Sequence, residues 1–400
     1  MPPFALQNIH FFHSACYTVG MTVTPNHAHL SRRRFLVGSG LAMAACATGC
    51  GGRVADLAVG SPGSSDHEAL FYEKLERQMI RCHLCPHGCM IAPGKRGFCK
   101  VRENRAGVLL TLVYGRPVAL HIDPVEKKPF FHVRPGTQAF SLATAGCNFT
   151  CQFCQNYDIS QAAPEQVSAP NLGPDELVKQ AKTANCGLMA YTYSEPVIFY
   201  EYMADCARAA KQAGLGSVMV SNGFITPEAL TELVPLLTAV KIDLKGFSDT
   251  FYRETCGGRL QPVLDTLKLL KKLGIWTEVV TLVIPGLNDS EAELQRLSAW
   301  VATELGPQVP LHFSRFIPMY RMRNLPPTPY ETLKTARALA MKEGCRYVYI
   351  GNAPGLGGEN TICPACGQVL IERIGNRVLS NRLNNGACPA CRAAIPGIWG

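Results

Sequence analysis

The chain has 400 residues, of which 47% are hydrophobic and only 17% charged, so it can bury a sizeable core. This composition excludes a disordered chain and, with no periodic Gly or Pro tract, a fibrous one. The 39 Lys and Arg residues outnumber the 30 Asp and Glu residues, but they are spread along the chain, which argues against a nucleic-acid partner. The unusual number is 18 cysteines, most of them in three tight groups. Such groups in a long chain favour metal or iron–sulfur binding over a disulfide scaffold.

The first 66 residues are predicted to precede the folded part. The SRRRFL run at 31–36 and the Gly/Ala-rich apolar run that follows it resemble a twin-arginine export signal, which routes folded proteins. Cys50 is a candidate for lipidation. We therefore predict a signal over 1–50, a linker over 51–66 and a periplasmic or membrane-tethered location, with a cytoplasmic location as the alternative. Membrane contact is expected only through the signal or a lipid anchor.

Residues 67–135 form a Cys-rich segment that is predicted to bind metal. Its four cysteines are separated by short turns, which suits a tetrahedral ion or a second cluster. They are Cys82, Cys85, Cys89 and Cys99. Their spacing is not a standard ferredoxin run, so zinc and iron–sulfur both stay open. His83 and His87 are interpreted as supporting or solvent-facing side chains rather than ligands.

Residues 136–352 alternate strand-like and helix-like patterns. Strands are predicted at 139–145, 188–193, 217–221, 239–244, 277–284, 310–313 and 347–350. Helices are predicted at 174–185, 196–213, 227–236, 261–273, 289–305 and 328–343. Regular alternation indicates a parallel sheet covered by helices, and six or seven such units predict a partial or complete TIM-type barrel of the α/β class.

A second cysteine group follows the first predicted barrel strand directly. Cys147, Cys151 and Cys154 have the spacing C-x3-C-x2-C. A 4Fe–4S cube takes four ligands, so three thiolates leave one iron open, and an open position makes a metal site reactive. A zinc loop is the alternative. The position favours the reactive interpretation, because barrel enzymes keep their chemistry at the C-terminal ends of the strands.

Residues 353–400 form a tail with paired C-x2-C motifs. The motifs are Cys363 with Cys366 and Cys388 with Cys391, which predict a zinc ribbon or a rubredoxin-like iron site. The isolated cysteines are interpreted as small buried apolar side chains. These are Cys186, Cys206, Cys256 and Cys345.

With these motifs in view, the sequence resembles the radical SAM superfamily, whose signature loop has the same spacing and an aromatic residue, here Phe153, before the last cysteine. More closely, residues 81–400 look like the radical SAM enzyme of the AmmeMemoRadiSam group, related to pyruvate formate-lyase activating enzymes. The likeness includes the DPVEKKP run at 123–129 and the AYTYSEP run at 190–196. It implies that S-adenosylmethionine binds the open iron and that its reductive cleavage gives a 5′-deoxyadenosyl radical.

The resemblance also implies S-adenosylmethionine contacts at the strand ends. The implied residues are Phe153, Glu195, Asn222, Asp243, Lys245 and Ile284. Glu195 would accept from the methionine ammonium group, although Tyr193 and Ser194 replace the two glycines that the family has before this glutamate. For Asn222 an ordinary turn is the alternative, and for Asp243 and Lys245 a structural ion pair. His312 is interpreted as an ordinary hydrogen-bonded histidine.

Two classes of function follow. The first is a radical SAM enzyme that abstracts hydrogen from an unidentified substrate, with activation of a partner protein by a glycyl radical as one form of this reaction. It would need an electron donor such as a flavodoxin or ferredoxin. The alternative is a non-catalytic iron–sulfur or zinc protein that acts as an electron carrier or scaffold.

Overall fold

The computed structural model of the chain describes residues 67–400. The predicted export signal, Cys50 and the linker therefore lie outside the described residues. Within the described part, no helix combines the length and the apolar character needed to cross a membrane.

The strands and helices of residues 67–400 are as follows. The strands are β1 His67–Glu68, β2 Tyr72–Lys74, β3 Ile80–Cys82, β4 Met90–Ile91, β5 Arg102–Arg105, β6 Val108–Thr111, β7 Ala119–Pro124, β8 Gln138–Ala143, β9 Leu188–Tyr191, β10 Gly216–Ser221, β11 Ala239–Asp243, β12 Trp276–Val283, β13 Leu311–Arg315, β14 Val348–Gly351, β15 Thr361–Ile362, β16 Val369–Ile374 and β17 Arg377–Asn381. The helices are α1 Tyr157–Ser160, α2 Pro174–Thr183, α3 Tyr200–Gln212, α4 Pro227–Leu233, α5 Asp249–Phe251, α6 Leu260–Leu273, α7 Glu291–Trp300 and α8 Tyr330–Lys342.

An eight-stranded sheet is the largest sheet of residues 67–400. Its strands run in sequence order from β7 to β14, with β8 to β14 parallel and β7 antiparallel at one edge. The two outer strands of this described sheet pair with one neighbour each, so the sheet is an open, partial barrel rather than a closed one. This confirms the predicted α/β fold, and the seven predicted barrel strands correspond to β8–β14 within two residues at each end.

The two faces of the sheet follow from strand alternation. In β11, Val240 and Ile242 pack into the large core that includes the helices, whereas Ala239 belongs to a separate apolar cluster on the opposite, inner face. Lys241 shares the inner face with Ala239, because side chains two residues apart lie on the same side of a strand. The inner face of the sheet therefore carries buried polar groups such as Lys241 beside a small apolar cluster, and the outer face packs against the helices in the large core.

The N-terminal end of the barrel is closed by a buried polar network around Glu278 of β12. Its carboxylate accepts hydrogen bonds from the backbone N–H groups of Phe131 and His132 at 2.9–3.1 Å and from Nε2 of His312 at 2.7 Å. His132 donates through Nδ1 to the carbonyl of Pro396 at 2.6 Å, which joins the C-terminal tail to this end. His312 is thus the hydrogen-bonded structural histidine that the sequence favoured.

Several predicted helices are divided or shortened in the structure. The helix predicted at 196–213 begins as a 3₁₀ turn, Pro196–Phe199, before α3, because the Glu195 side chain accepts from the N–H of Val197 and tightens the first turn. The helix predicted from residue 328 begins at Tyr330. Thr328 instead uses its hydroxyl to join Phe316 and Val283, at 2.8 and 2.6 Å.

The buried histidines predict an acid-sensitive fold. Burial lowers the pKa of His132 to about 4 and also lowers that of His312, from an ordinary value of 6.5. Between 6.5 and 4 the unfolded chain binds more protons at His132 than the folded one, so the free energy of unfolding should fall as the pH falls through this range, by up to about 1.4 kcal/mol per pH unit for this histidine. The lowered pKa of His312 adds to this loss in the same direction. Urea unfolding at pH 7 and pH 5 measures this loss. His132→Gln, which does not titrate, should show a smaller pH dependence than the unmodified protein, and equal slopes would contradict the assignment.

Candidate active site

The second cysteine group forms a loop at the C-terminal end of β8. Its backbone pairs with the segment that follows α5: Thr150 N–H donates to the carbonyl of Cys256 at 2.8 Å, and Gln152 N–H to that of Thr255 at 3.0 Å. Backbone and hydroxyl groups also lie at the sulfurs, with Phe149 N–H 3.3 Å from Cys147 Sγ and Ser160 Oγ 3.2 Å from Cys154 Sγ. Such contacts favour thiolates, which are hydrogen-bond acceptors.

The distances between sulfurs favour a cluster over a single zinc ion at this loop. Among the described residues, one group of three or more Cys, His, Asp or Glu has ligand atoms all within 4.8 Å of one another, and it is the C-terminal group. Four sulfurs on a single zinc ion, each at about 2.3 Å, lie about 3.8 Å apart. Cys147, Cys151 and Cys154 are therefore too widely spaced for one ion. They suit a cluster in which each thiolate binds a different iron.

Burial controls the protonation of these thiols. It raises the pKa of Cys147 well above its ordinary value, and the nearby carboxylate of Glu195 raises it further. Burial also raises the pKa of Cys154, whereas a hydrogen bond with Cys256 lowers that of Cys151. A positively charged metal would stabilise the thiolate forms against this burial. Cys256 is buried, as the sequence indicated, but its contact with Cys151 could not be predicted from its position in the chain.

Asn148 is the central polar residue of the loop, although no motif in the sequence marks it. Its side-chain amide donates to the carbonyl of Phe224 at 2.9 Å and accepts from Nδ2 of Asn222 at 2.8 Å. Its backbone carbonyl lies 2.7 Å from Nε2 of His87, which comes from the first cysteine group. The side-chain oxygen of Asn222 in turn accepts from the N–H of Phe224. Asn222 thus has a structural role, and its contact with S-adenosylmethionine stays a prediction.

Glu195 lies at the end of β9, next to the cysteine loop, and is 2% exposed. Its carboxylate accepts from Ser221 Oγ at 2.6 Å and from the N–H of Asn222 at 2.8 Å. Burial raises the pKa of Glu195 to about 7, although these donors oppose the shift. The hydroxyl of its neighbour Ser194 is buried without a hydrogen-bond partner among the described residues. This pair fits a ligand that brings its own polar groups.

Tyr193 occupies a position that favours glycine. Its φ is 65°, in the left-handed region that non-glycine residues rarely adopt. The conformational free-energy cost is offset by the hydrogen bonds of the Tyr193 hydroxyl, which donates to Asp123 at 2.7 Å and accepts from Lys128 at 2.9 Å. Asp123 and Lys128 of the DPVEKKP run therefore accommodate tyrosine at a position where the family has glycine.

Asp243 and Lys245 form an ion pair at the end of β11. Lys245 Nζ lies 2.9 Å from Asp243 Oδ2, and Lys241 pairs with the other carboxylate oxygen. Although burial opposes ionisation, these two lysines hold the pKa of Asp243 well below its usual range. Lys245 Nζ also lies 6.0 Å from the centre of the Phe153 ring, beside the cysteine loop. The structural alternative is therefore present, and a role in ligand binding stays a prediction.

Ile284 marks the end of β12 and is fully buried. Its N–H donates to Oδ1 of Asn288 at 2.6 Å, while Nδ2 of Asn288 donates to the carbonyl of Lys245 at 2.7 Å. Asn288 therefore ties the ends of β11 and β12 together. It does not cap α7, because the side chain of Ser290 caps that helix.

The C-terminal group has the geometry of a single-ion site. The sulfur of Cys363 lies 3.5 Å from that of Cys391, and Cys366 and Cys388 are 3.6 Å apart. These distances match the spacing of about 3.8 Å around one tetrahedral ion. Four protein ligands occupy all the coordination positions of a tetrahedral ion, so this site is of the structural type. Four thiols suit either zinc or iron.

The chain is similar to known proteins over the segment that forms this site. The family model of the radical SAM superfamily matches residues 141–297, which include the cysteine loop, Glu195 and Asp243. The chain is 48% identical over 330 residues to the uncharacterized protein MJ0808 of Methanocaldococcus jannaschii, covering 82% of this chain and 98% of that one. The chain belongs to the radical SAM superfamily and is a radical SAM enzyme.

The chain is also similar to more distantly related proteins whose names describe an activity. The chain is 23% identical over 220 residues to the pyruvate formate-lyase 1-activating enzyme of Escherichia coli K12, covering 51% of this chain and 89% of that one. Among solved structures it is similar to TYW1 with a lysine-pyruvate adduct bound, at 17% identity and a TM-score of 0.39, covering 56% of this chain and 80% of that one.

The C-terminal group yields a prediction about metal content. Replacing the exposed pair by Cys366→Ser and Cys391→Ser should remove one ion per chain and lower the Tm by on the order of 5 °C, because binding stabilises only the folded tail. Elemental analysis and thermal unfolding measure both. Cys186→Ala, at a buried cysteine outside the three groups, is the matched control and should keep the ion. Unchanged metal in the double variant would show that these thiols are not ligands.

Proposed function

We propose that this enzyme cleaves S-adenosylmethionine reductively at the Cys147 loop and that the resulting 5′-deoxyadenosyl radical abstracts hydrogen from a substrate. The observation that carries the proposal is the three-thiol loop at the end of β8, whose sulfurs are not all within 4.8 Å of one another and whose Cys147 lies near the buried carboxyl group of Glu195. Three ligands leave one iron of a 4Fe–4S cube for another molecule.

The residues around the loop fit both groups. When bound, the cluster and S-adenosylmethionine supply a one-electron reduction that breaks a sulfonium carbon–sulfur bond. Cys147, Cys151 and Cys154 would hold the cluster. Glu195 would accept hydrogen bonds from the ammonium group of the methionine, and the unpaired hydroxyl of Ser194 gives a further polar contact beside it.

A protein substrate is the finer part of the proposal. The name of the Escherichia coli relative describes an enzyme that activates pyruvate formate-lyase, and the relation to this chain supports an activating reaction on a partner protein. The hydrogen donor would then be a glycine of that partner. A small low-potential protein, such as a flavodoxin or ferredoxin, would supply the electron.

The first test is formation of 5′-deoxyadenosine. Protein reconstituted anaerobically with iron and sulfide, then given dithionite and S-adenosylmethionine, should release this product, which mass spectrometry detects. Cys154→Ala should reduce the yield at least about 100-fold, because a cluster site loses one of its three ligands. Cys186→Ala should match the unmodified protein. No product from protein whose cluster is confirmed spectroscopically would favour the electron carrier or scaffold instead.

The second test concerns Glu195. Glu195→Gln removes a charged acceptor while keeping the shape of the side chain, so the KM for S-adenosylmethionine should rise about 10- to 100-fold. The rate of 5′-deoxyadenosine formation at varied S-adenosylmethionine concentrations gives this value. Glu291→Gln, on the exposed first turn of α7, should leave it unchanged. An unaltered KM in Glu195→Gln would remove this residue from the binding site.

A further inference from the structure

The first cysteine group is a compact site with buried and half-buried thiols. Cys82 and Cys89 are adjacent in a hairpin, where the N–H of Cys82 donates to the carbonyl of Cys89 at 2.9 Å. Cys82 and Cys99 are buried, and Cys85 and Cys89 are half-buried. Donors face the sulfurs: Phe98 N–H lies 3.4 Å from Cys89 Sγ, and Nη1 of Arg102 lies 3.8 Å from Cys82 Sγ. A buried cation and backbone donors at the sulfurs favour thiolates.

The sulfur spacing of this group differs from that of the C-terminal group. No three of its sulfurs lie within 4.8 Å of one another, since the C-terminal group is the one set among the described residues that meets this condition. A tetrahedral zinc ion would bring all four within about 3.8 Å of one another. An iron–sulfur cluster spreads its four cysteines over two or four irons, so they stand farther apart. The sulfur spacing therefore favours an iron–sulfur cluster over a single zinc ion at this group.

This site lies directly against the radical SAM loop. Gly146 precedes Cys147, and a Cβ at Gly146 would lie 2.7 Å from the backbone oxygen of Cys99 and 2.5 Å from a methyl group of Val101. Only glycine allows so close an approach. His87 of the first group makes the 2.7 Å contact with the carbonyl of Asn148.

A second connection joins the first group to neighbouring parts of the barrel. Arg259 donates to the carbonyl of Pro86 at 2.7 Å, and Thr226 N–H donates to that of Leu84 at 3.1 Å. The group also reaches the surface, where Phe98 is 43% and Met90 52% exposed. One side thus contacts the radical SAM loop, and another is open to a partner.

We propose that Cys82, Cys85, Cys89 and Cys99 hold a second iron–sulfur cluster that delivers electrons to the cluster of the Cys147 loop. The electron-delivery part rests on the proposed function, whereas the cluster itself does not. A low-potential one-electron donor protein reduces the second cluster by one electron. That electron then passes to the first cluster, which returns the second to its oxidised state. No bond in the chain forms or breaks.

The cluster is tested without reference to activity. A Cys147→Ala, Cys151→Ala and Cys154→Ala variant, reconstituted anaerobically with iron and sulfide, should retain a cluster with about two to four irons and equal sulfide. Mössbauer spectroscopy identifies the cluster, and EPR of the reduced protein detects its signal. Adding Cys85→Ser and Cys89→Ser should abolish both. One zinc per chain at these cysteines, without sulfide, would overturn the proposal.

A second measurement covers the case in which the triple variant fails to fold. Cys85→Ser and Cys89→Ser in the otherwise unmodified chain should lower the iron content by the same two to four atoms, and Cys186→Ala should lower it by none. Unchanged iron in the double variant would also overturn the proposal. Both measurements are independent of 5′-deoxyadenosine, so they separate failure of this inference from failure of the proposed function.

Electron delivery has its own readout. With reduced flavodoxin as donor, freeze-quench EPR should show reduction of the Cys147-loop cluster at least about tenfold more slowly in the Cys85→Ser and Cys89→Ser variant than in the Cys186→Ala control. The signal of that cluster should still appear at full intensity after long incubation, because its own ligands are intact. Equal rates in the two proteins would show that electrons do not pass through the first cysteine group.

Discussion

The arrangement of the site depends on Asn148, a buried residue between two cysteines of the reactive loop. Its side-chain amide joins the loop to the end of β10 through Phe224 and Asn222, and its backbone carbonyl accepts from His87. A buried amide with unpaired groups costs about 1–3 kcal/mol for each lost hydrogen bond, so these partners fix one loop position. Three elements that are distant in the chain are thereby held around the Cys147 loop.

The two ends of the partial barrel serve different purposes. At the C-terminal end, the buried carboxyl group of Glu195 and the half-buried carboxylate of Asp243 lie near thiols, which is the setting for a reactive cofactor. At the N-terminal end, Glu278 accepts from the backbone N–H of His132, and the ring of His132 donates to the carbonyl of Pro396 in the C-terminal tail. Polar groups at this end stabilise the fold, because their hydrogen-bonding capacity is used within the chain.

The sequence predicted the local features well and the long-range contacts poorly. Strands β8–β14 and the three cysteine groups were found because hydrophobic alternation and ligand spacing are local patterns. Spacing along the chain could not separate zinc from a cluster, since that depends on distances between sulfurs in space. The contacts of His87 with Asn148, and of Glu278 with Phe131, join residues 61 and 147 positions apart, so no periodicity indicates them. The left-handed backbone conformation of Tyr193 could likewise not be predicted, because a tyrosine in the sequence does not indicate a positive φ.

The central claim is that the Cys147 loop holds a cluster with one iron open to S-adenosylmethionine. EPR of the dithionite-reduced protein, recorded before and after addition of S-adenosylmethionine, tests it most directly. In the Cys85→Ser and Cys89→Ser variant, the signal of this one cluster is observed alone. Binding of S-adenosylmethionine should change its g values, since a new ligand alters the electronic structure of the iron. An identical spectrum at saturating S-adenosylmethionine would show that no iron of this cluster is open to the cofactor.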